Sequence, residues 1–277
     1  MAAKTDKNAL KDLKEMIALG MDVNQFNKNG DRPLTYAVKN NWPKCVKYLI
    51  NHGADINLKD LSVSSEGVFQ TSPFWISIYE GHYSCTLVLI AAGVDISELD
   101  NYCGVNALSY IFTERGSDKN FDLLVRTLIN HKIDVNQAVG LSGVTPLFRA
   151  VEYGDISIVM ELFKAGAKIN PGSCSPLQIA AFEGHSNILK LLISEGSDIK
   201  TQGLDAVFYA FKNKCPECVR VLIEAGVDPS LLDQYKVKLH LHDLRITYSG
   251  DRPIDILNLA KVEEAYKLLI DAGIKPG

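Results

Sequence analysis

Short apolar runs at helical spacing occur in pairs along this chain of 277 residues. In the second run of one pair, Ile188, Leu191 and Leu192 fall on one side of a helix. The first run of most pairs opens with a proline, which suits the first helical turn because no N–H donor is needed there. These prolines are Pro33, Pro73, Pro146, Pro176 and Pro253. The pattern predicts an all-α chain built from helix–turn–helix units.

A six-residue phrase closes each unit, and its fullest form is HGADIN at 52–57. The fourth residue of the phrase is Asp or Lys, and it occurs at positions 22, 55, 95, 134, 168, 198, 228 and 275. A period of this length is typical of a solenoid. The glycine that precedes it in most copies predicts a left-handed residue at the end of each second helix.

The distance between the proline and the phrase is nearly constant. It is 22 residues in six of seven units, and the exception is the 27 residues from Ala107 to Asp134. Length variation therefore lies in the connections, as expected when packed helix pairs alternate with surface loops.

These units resemble the ankyrin repeat. The segments GVTPLFRAVEYGDISIVMELFKAGAKIN and SPLQIAAFEGHSNILKLLISEGSDIK are similar to the family pattern TPLHxAA…GH…LL…GAD-φ-N. The resemblance covers almost the whole chain and implies an α-solenoid of stacked helix–turn–helix units with short β-hairpin fingers. The histidine after Pro-Leu is replaced in every unit, and we expect its substitutes Trp75, Phe148 and Phe208 to be core side chains.

We predict a single ankyrin-repeat domain over 1–277 with a half repeat at 8–26. The repeats that follow are predicted at about 30–59, 70–100, 104–138, 143–172, 173–202, 203–230 and 250–277. Insertions are predicted at 61–71, 113–121 and 231–249, and the strict alternation within the last favours one larger hairpin. The short connections 170–176 and 200–206 predict clipped fingers.

Composition limits the classes of function and the location that we expect for this chain. A net charge of −4 argues against general affinity for nucleic acid. No stretch approaches the roughly 18–20 apolar residues of a membrane span. The N-terminal residues lack the apolar core of a secretory signal, so we expect the cytoplasm or nucleus, or a host cytosol if the chain is an injected bacterial effector. We expect a monomer without a cofactor.

The cysteines follow the repeat. Cys45, Cys85 and Cys218 each lie ten residues before the fourth residue of a phrase, where other units have Leu or Ile. This position predicts a small core side chain. Cys215 and Cys218 form a CxxC pair, for which a redox or metal role is the alternative; the absence of a second pair nearby in sequence disfavours it.

The resemblance implies a concave binding surface made of finger tips and the exposed ends of the first helices. Aromatic residues occupy those helix ends in three units: Tyr79, Tyr153 and Phe182. Glutamates beside them or at a matching position predict an acidic stripe for a basic or mixed partner: Glu80, Glu114, Glu152 and Glu183. The finger candidates are Phe26, Phe69 and Tyr102. Two alternatives stay open, namely that each ring packs on a neighbouring helix and that the carboxylates form an ordinary solvated face.

We therefore predict a protein–protein interaction module, not an enzyme, that acts as an adaptor, scaffold or inhibitor on a protein partner. The sequence contains no P-loop, Gly-x-Ser-x-Gly or His-Glu-x-x-His motif. Two alternatives remain. The chain could be the regulatory ankyrin domain of a longer protein, or an effector enzyme with a Cys/His site in the insertions, such as Cys103 with His240.

Overall fold

The structure is a computed structural model that describes residues 5–28, 30–64, 67–100, 104–113, 119–140, 143–169, 174–228 and 256–273. Side chains are described outside 61–69 and 256–263. The chain forms two compact units, Met1–Val139 and Gly140–Gly277.

Two rows of helices make up unit 1. Its elements are α1 (Asp6–Ala18), α2 (Pro33–Lys39), α3 (Pro43–Asn51), β1 (Asp60–Ser64), β2 (Gly67–Thr71), α4 (Pro73–Tyr79), α5 (Tyr83–Ala91), α6 (Ala107–Thr113) and α7 (Phe121–Asn130). The first helices α2, α4 and α6 pack side by side, and the second helices α1, α3, α5 and α7 pack in a parallel row behind them. Helix α1 lies at the end of this second row, next to α3, at the place of the predicted half repeat.

Unit 2 repeats this plan. Its helices are α8 (Pro146–Glu152), α9 (Ile156–Lys164), α10 (Pro176–Glu183), α11 (Ser186–Ser194), α12 (Ile199–Lys212), α13 (Pro216–Glu224) and α14 (Ile256–Asp271). First helices α8, α10 and α12 are neighbours, as are second helices α9, α11 and α13, and α14 packs on α12 and α13.

The motifs determine where the helices begin and end. Proline is the first residue of α2, α4, α8 and α10, as predicted. Before three of them a hydroxyl caps the helix by accepting an N–H, for example Ser72 from Trp75 and Thr145 from Phe148. The second helices of most repeats end just before a glycine with positive φ, such as Gly53 or Gly166.

The core follows the repeat register. The position ten residues before the phrase's fourth residue is buried in six successive repeats: Cys45, Cys85, Leu124, Ile158, Ile188 and Cys218. Burial is the main cause that raises the pKa of the Cys85 thiol to about 12, so this cysteine packs as a neutral side chain. Trp75 is buried as expected, whereas Phe148 and Phe208 are only half-buried.

The insertion at 61–71 is a finger, as predicted. Strands β1 and β2 pair antiparallel from Asp60 with Thr71 to Ser64 with Gly67. The larger hairpin predicted at 231–249 lies outside the described residues, as do most of the insertion at 113–121 and the connection 170–173.

Two expectations about the last repeats are wrong. The connection 200–206 is not a clipped finger, because α12 begins at Ile199 and continues without interruption to Lys212. Where a helix–turn–helix pair was expected near the C-terminus, α14 runs as one helix from Ile256 to Asp271. A boundary signal is missing in each place: at 206 alanine replaces the usual proline that starts a helix, and no glycine interrupts 256–271.

Among the second helices, α7 is followed by a residue with a strained backbone. Lys132 follows α7 with φ 60°, where the other second helices have glycine with φ near 90°. A side chain costs about 1–2 kcal/mol in the left-handed region, although glycine also costs entropy. We expect Lys132→Gly to stabilise unit 1 by about 0.5–1 kcal/mol. Urea unfolding followed by tryptophan fluorescence measures this, since both tryptophans lie in unit 1. Lys132→Ala keeps the strain, so an equal gain from it would contradict the explanation.

Candidate functional site

The ends of the first helices in unit 2 expose two aromatic rings. Tyr153 directly follows α8, Phe182 lies in the last turn of α10, and each is 41% exposed. The Phe182 ring packs edge-on against Tyr209 of α12, with ring centroids 5.9 Å apart. Because α8 and α10 are neighbours in the same row, both rings lie at the same end of that row.

Stacked turns hold these helix ends in place. The turn after α8 contains Gly154 with φ 75°, and the turn after α10 contains Gly184 with φ 77°. The His185 ring lies directly against Gly154, and its Nε2–H donates to the Glu152 carbonyl over 3.2 Å. In unit 1 the His82 ring also bonds to the preceding repeat, but through Nδ1–H, which donates to the Val38 carbonyl at 2.9 Å. Both histidines thus tie one repeat to the preceding one.

The charges at this end of unit 2 are mixed. Glu152 forms an ion pair with Arg149, whose Nη1 lies 2.6 Å from the carboxylate. Glu183 is exposed at the end of α10, and Lys212 is exposed at the corresponding end of α12. In unit 2 the two glutamates of the predicted acidic stripe are thus accompanied by Arg149 on α8 and Lys212 on α12.

Tyr79 differs from the two exposed rings. It is half-buried at the end of α4, with its ring centroid 5.3 Å from that of Trp75 and 5.2 Å from that of Tyr110 on α6. Tyr79 thus follows the alternative left open for these rings, packing on a neighbouring helix. Glu80, the next residue, is exposed.

Phe26 lies beside a groove that the sequence did not predict. It is 53% exposed, and the Arg32 guanidinium carbon lies 4.1 Å from its ring centroid. The groove between α1 and α2 has a volume of about 400 Å³, and its apolar lining includes Met16, Tyr36 and Trp42. Among the described residues no first helix precedes α1, so none packs against this side of α2. That consequence could have been inferred from the missing proline motif before the first phrase.

The remaining candidates lie outside what the structure describes. Tyr102 and Glu114 are in undescribed segments, and the Phe69 side chain is undescribed although its backbone pairs with Ser62 in the finger.

The described residues offer no sign of a metal centre. Nowhere in the described ranges do three His, Cys, Asp or Glu side chains group so that they could hold an ion. Within those ranges, no helix combines the length and the apolar character needed to cross a membrane.

Comparisons with known sequences all point to one family. The family described as Ankyrin repeats (3 copies) matches residues 1–60, 74–173 and 170–233. The ankyrin repeat protein YahD of Escherichia coli strain K12 is 28% identical over 194 residues, which are 67% of this chain and 90% of that protein. An ankyrin repeat and KH domain-containing protein of Caenorhabditis briggsae is 29% identical over 161 residues, 57% of this chain. The alignment spans only 6% of that longer protein.

Solved structures show the same fold. The human ASB11 ankyrin repeat domain superposes with a TM-score of 0.57 at 22% identity, covering 81% of this chain and 96% of that domain. The predicted all-α ankyrin-repeat solenoid is confirmed by this likeness together with the family match. The repeated phrase, the helix pairs and these comparisons agree, and the chain belongs to the ankyrin-repeat family.

Proposed function

We propose that this chain is a non-catalytic module that captures a protein partner on the aromatic surface formed by Tyr153, Phe182 and Glu183. Ankyrin repeats indicate a protein–protein interaction module, and the fold is generally not catalytic. The partner surface and the role as an adaptor, scaffold or inhibitor are our proposal.

The observation that supports it is the pair of exposed rings in consecutive repeats. Tyr153 and Phe182 remain 41% exposed on a unit whose other aromatic rings on the first helices are at least half-buried. Exposed aromatic side chains on a rigid scaffold supply most of the binding energy in many interfaces. They lose little conformational entropy on binding, because the helices and stacked turns already hold them.

Charge around the rings indicates the kind of segment that fits. Glu183 is exposed next to Phe182, while Glu152 is already paired with Arg149. Lys212 adds a cation on the neighbouring helix end. We infer a partner segment with one apolar anchor for the rings and a basic residue for Glu183, because complementary charge sets register and suppresses wrong partners.

The test compares two double variants in affinity capture from cytosolic extract, with retained proteins quantified by mass spectrometry. Tyr153→Ala/Phe182→Ala removes the rings. The matched control, Ile156→Ala/Met160→Ala, removes apolar side chains that are 41% and 46% exposed on α9 of the same unit. We expect the specific prey to fall at least tenfold with the first variant and to stay within about twofold with the control.

The outcomes separate the possible sites. Prey lost equally with both variants would indicate general damage or non-specific adhesion, which circular dichroism and the melting temperature check independently. Prey retained by both would contradict the aromatic surface and move the site to the groove beside Phe26 or to the finger at 61–71.

A further inference from the structure

Two cysteines occupy the first turn of α13 in a geometry that no other helix of the described chain has. Cys215 is the N-cap residue, and its Sγ accepts the backbone N–H of Cys218 at 3.3 Å. In α3 and α5 the N-cap residues are Trp42 and His82, so Cys45 and Cys85 in those helices have no sulfur at the N-cap.

The two thiols also interact directly. A hydrogen bond from Cys218 to Cys215, followed by burial, raises the pKa of the Cys218 thiol well above its ordinary value. Cys218 is fully buried, whereas Cys215 is half-buried. The Cys215 side chain lies over the first turn of α13, where its Sγ accepts the Cys218 N–H, and this places the two thiols next to each other.

We propose that Cys215 and Cys218 are a reversible dithiol–disulfide site that exchanges with low-molecular-weight disulfides. Cys215 is the attacking residue because it is the less buried of the two and because the N–H of Cys218 and the helix N-terminus stabilise its thiolate. Cys218 is the resolving residue because it is buried beside it. This assigns a role to the CxxC pair beyond that of a core filler.

The exchange with glutathione disulfide has two steps. The Cys215 thiolate attacks one sulfur of glutathione disulfide, so that a mixed disulfide forms and one glutathione thiolate leaves. The Cys218 sulfur, after losing its proton, attacks Cys215 Sγ and displaces the second glutathione. Two protein thiols lose two electrons and two protons, and one glutathione disulfide becomes two glutathione thiols.

Oxidation would change the contact between two repeats. The reduced Cys215 thiol donates to the Gly184 carbonyl, 3.8 Å away in the preceding turn. Disulfide formation removes that S–H donor. Gly184 directly follows Glu183 of the aromatic surface. Any effect of oxidation on partner capture therefore rests on the proposed function, whereas formation of the disulfide does not depend on it.

The experiment equilibrates the folded full chain with glutathione and glutathione disulfide at graded ratios, followed by acid quenching, alkylation and trypsin digestion. Cleavage after Lys214 and Arg220 gives peptide 215–220, which contains both cysteines. We expect it to lose two hydrogens by closing a disulfide at ratios that leave Cys45 and Cys85 reduced. Cys218→Ala should instead accumulate the mixed glutathione disulfide on Cys215.

Cys215→Ser is the second variant and should block both products at this site. It should fold, because the equivalent N-cap position is Asp155 in α9 and His185 in α11. The proposal is overturned if the peptide stays reduced at all ratios, if it stops at the mixed disulfide, or if it oxidises only together with Cys45 and Cys85. These readouts use mass alone, so a failure of the aromatic surface to bind a partner leaves them unaffected.

Discussion

Replacing Ala206 by proline should lower the free energy of unfolding of unit 2 by about 3 kcal/mol or more. This result would be unexpected from the repeat pattern, because proline occupies the same position in four other repeats at the start of α2, α4, α8 and α10. The reason is that Ala206 lies in the interior of α12, where its N–H donates within the helix and a proline ring would clash with the carbonyl of Gln202.

The extra turns of α12 are held by specific contacts. Asp198 caps the helix by accepting the N–H groups of Lys200 and Thr201, both at 3.2 Å. The added turns pack against α10, where the Ser175 hydroxyl donates to Gln202 at 2.6 Å. A proline at 206 would have to break these bonds or kink the helix away from α10, so the cost cannot be relieved by a local shift.

Ala107→Pro is the matched control. Ala107 is the first residue of α6, and Asn106 before it caps the helix by accepting the Ser109 N–H at 2.9 Å. We expect a change within about 1 kcal/mol, because the first helical position needs no N–H donor. Urea unfolding followed by circular dichroism measures both variants. Equal, small effects of the two prolines would mean that the helix begins at 206, as it does in the other repeats.

Much of the fold could be predicted from the sequence because the repeat contains its own start and stop signals. Proline fixes the start of a first helix, and a glycine with positive φ ends a second helix. The predictions are wrong where those signals are missing. Without proline at 206 the helix extends backward to Ile199, and without glycine in 256–271 two predicted helices merge into α14.

The candidate site was predictable only in part. The period gives the position of each side chain within its own repeat, and it locates Tyr79, Tyr153 and Phe182 at helix ends. It does not give the residue that faces each ring from the next repeat. Tyr79 is half-buried, with the rings of Trp75 and Tyr110 packed against it. Phe182 has the Tyr209 ring edge-on to it and stays exposed.

Gly154→Ala should destabilise unit 2 by about 2–4 kcal/mol, which combines two separate costs. The first is backbone strain, because Gly154 has φ 75°. The second is overlap, since an added Cβ would lie 2.6 Å from Cε1 of the His185 ring. Gly166→Ala is the matched control: Gly166 has φ 90° and no atom within 4 Å of an added Cβ, so it should cost only the strain of about 1–2 kcal/mol.

A double-mutant cycle isolates the contact with His185. His185→Ala removes the ring and its bond to the Glu152 carbonyl, so it should cost about 1 kcal/mol or more by itself. In the Gly154→Ala background its cost should shrink or change sign, because the ring that overlaps the new methyl group is gone. Urea unfolding followed by circular dichroism gives all four free energies. Additive costs would show that the ring moves aside freely, and then the stacked turns would not be the rigid support that holds Tyr153 and Phe182 in place for a partner.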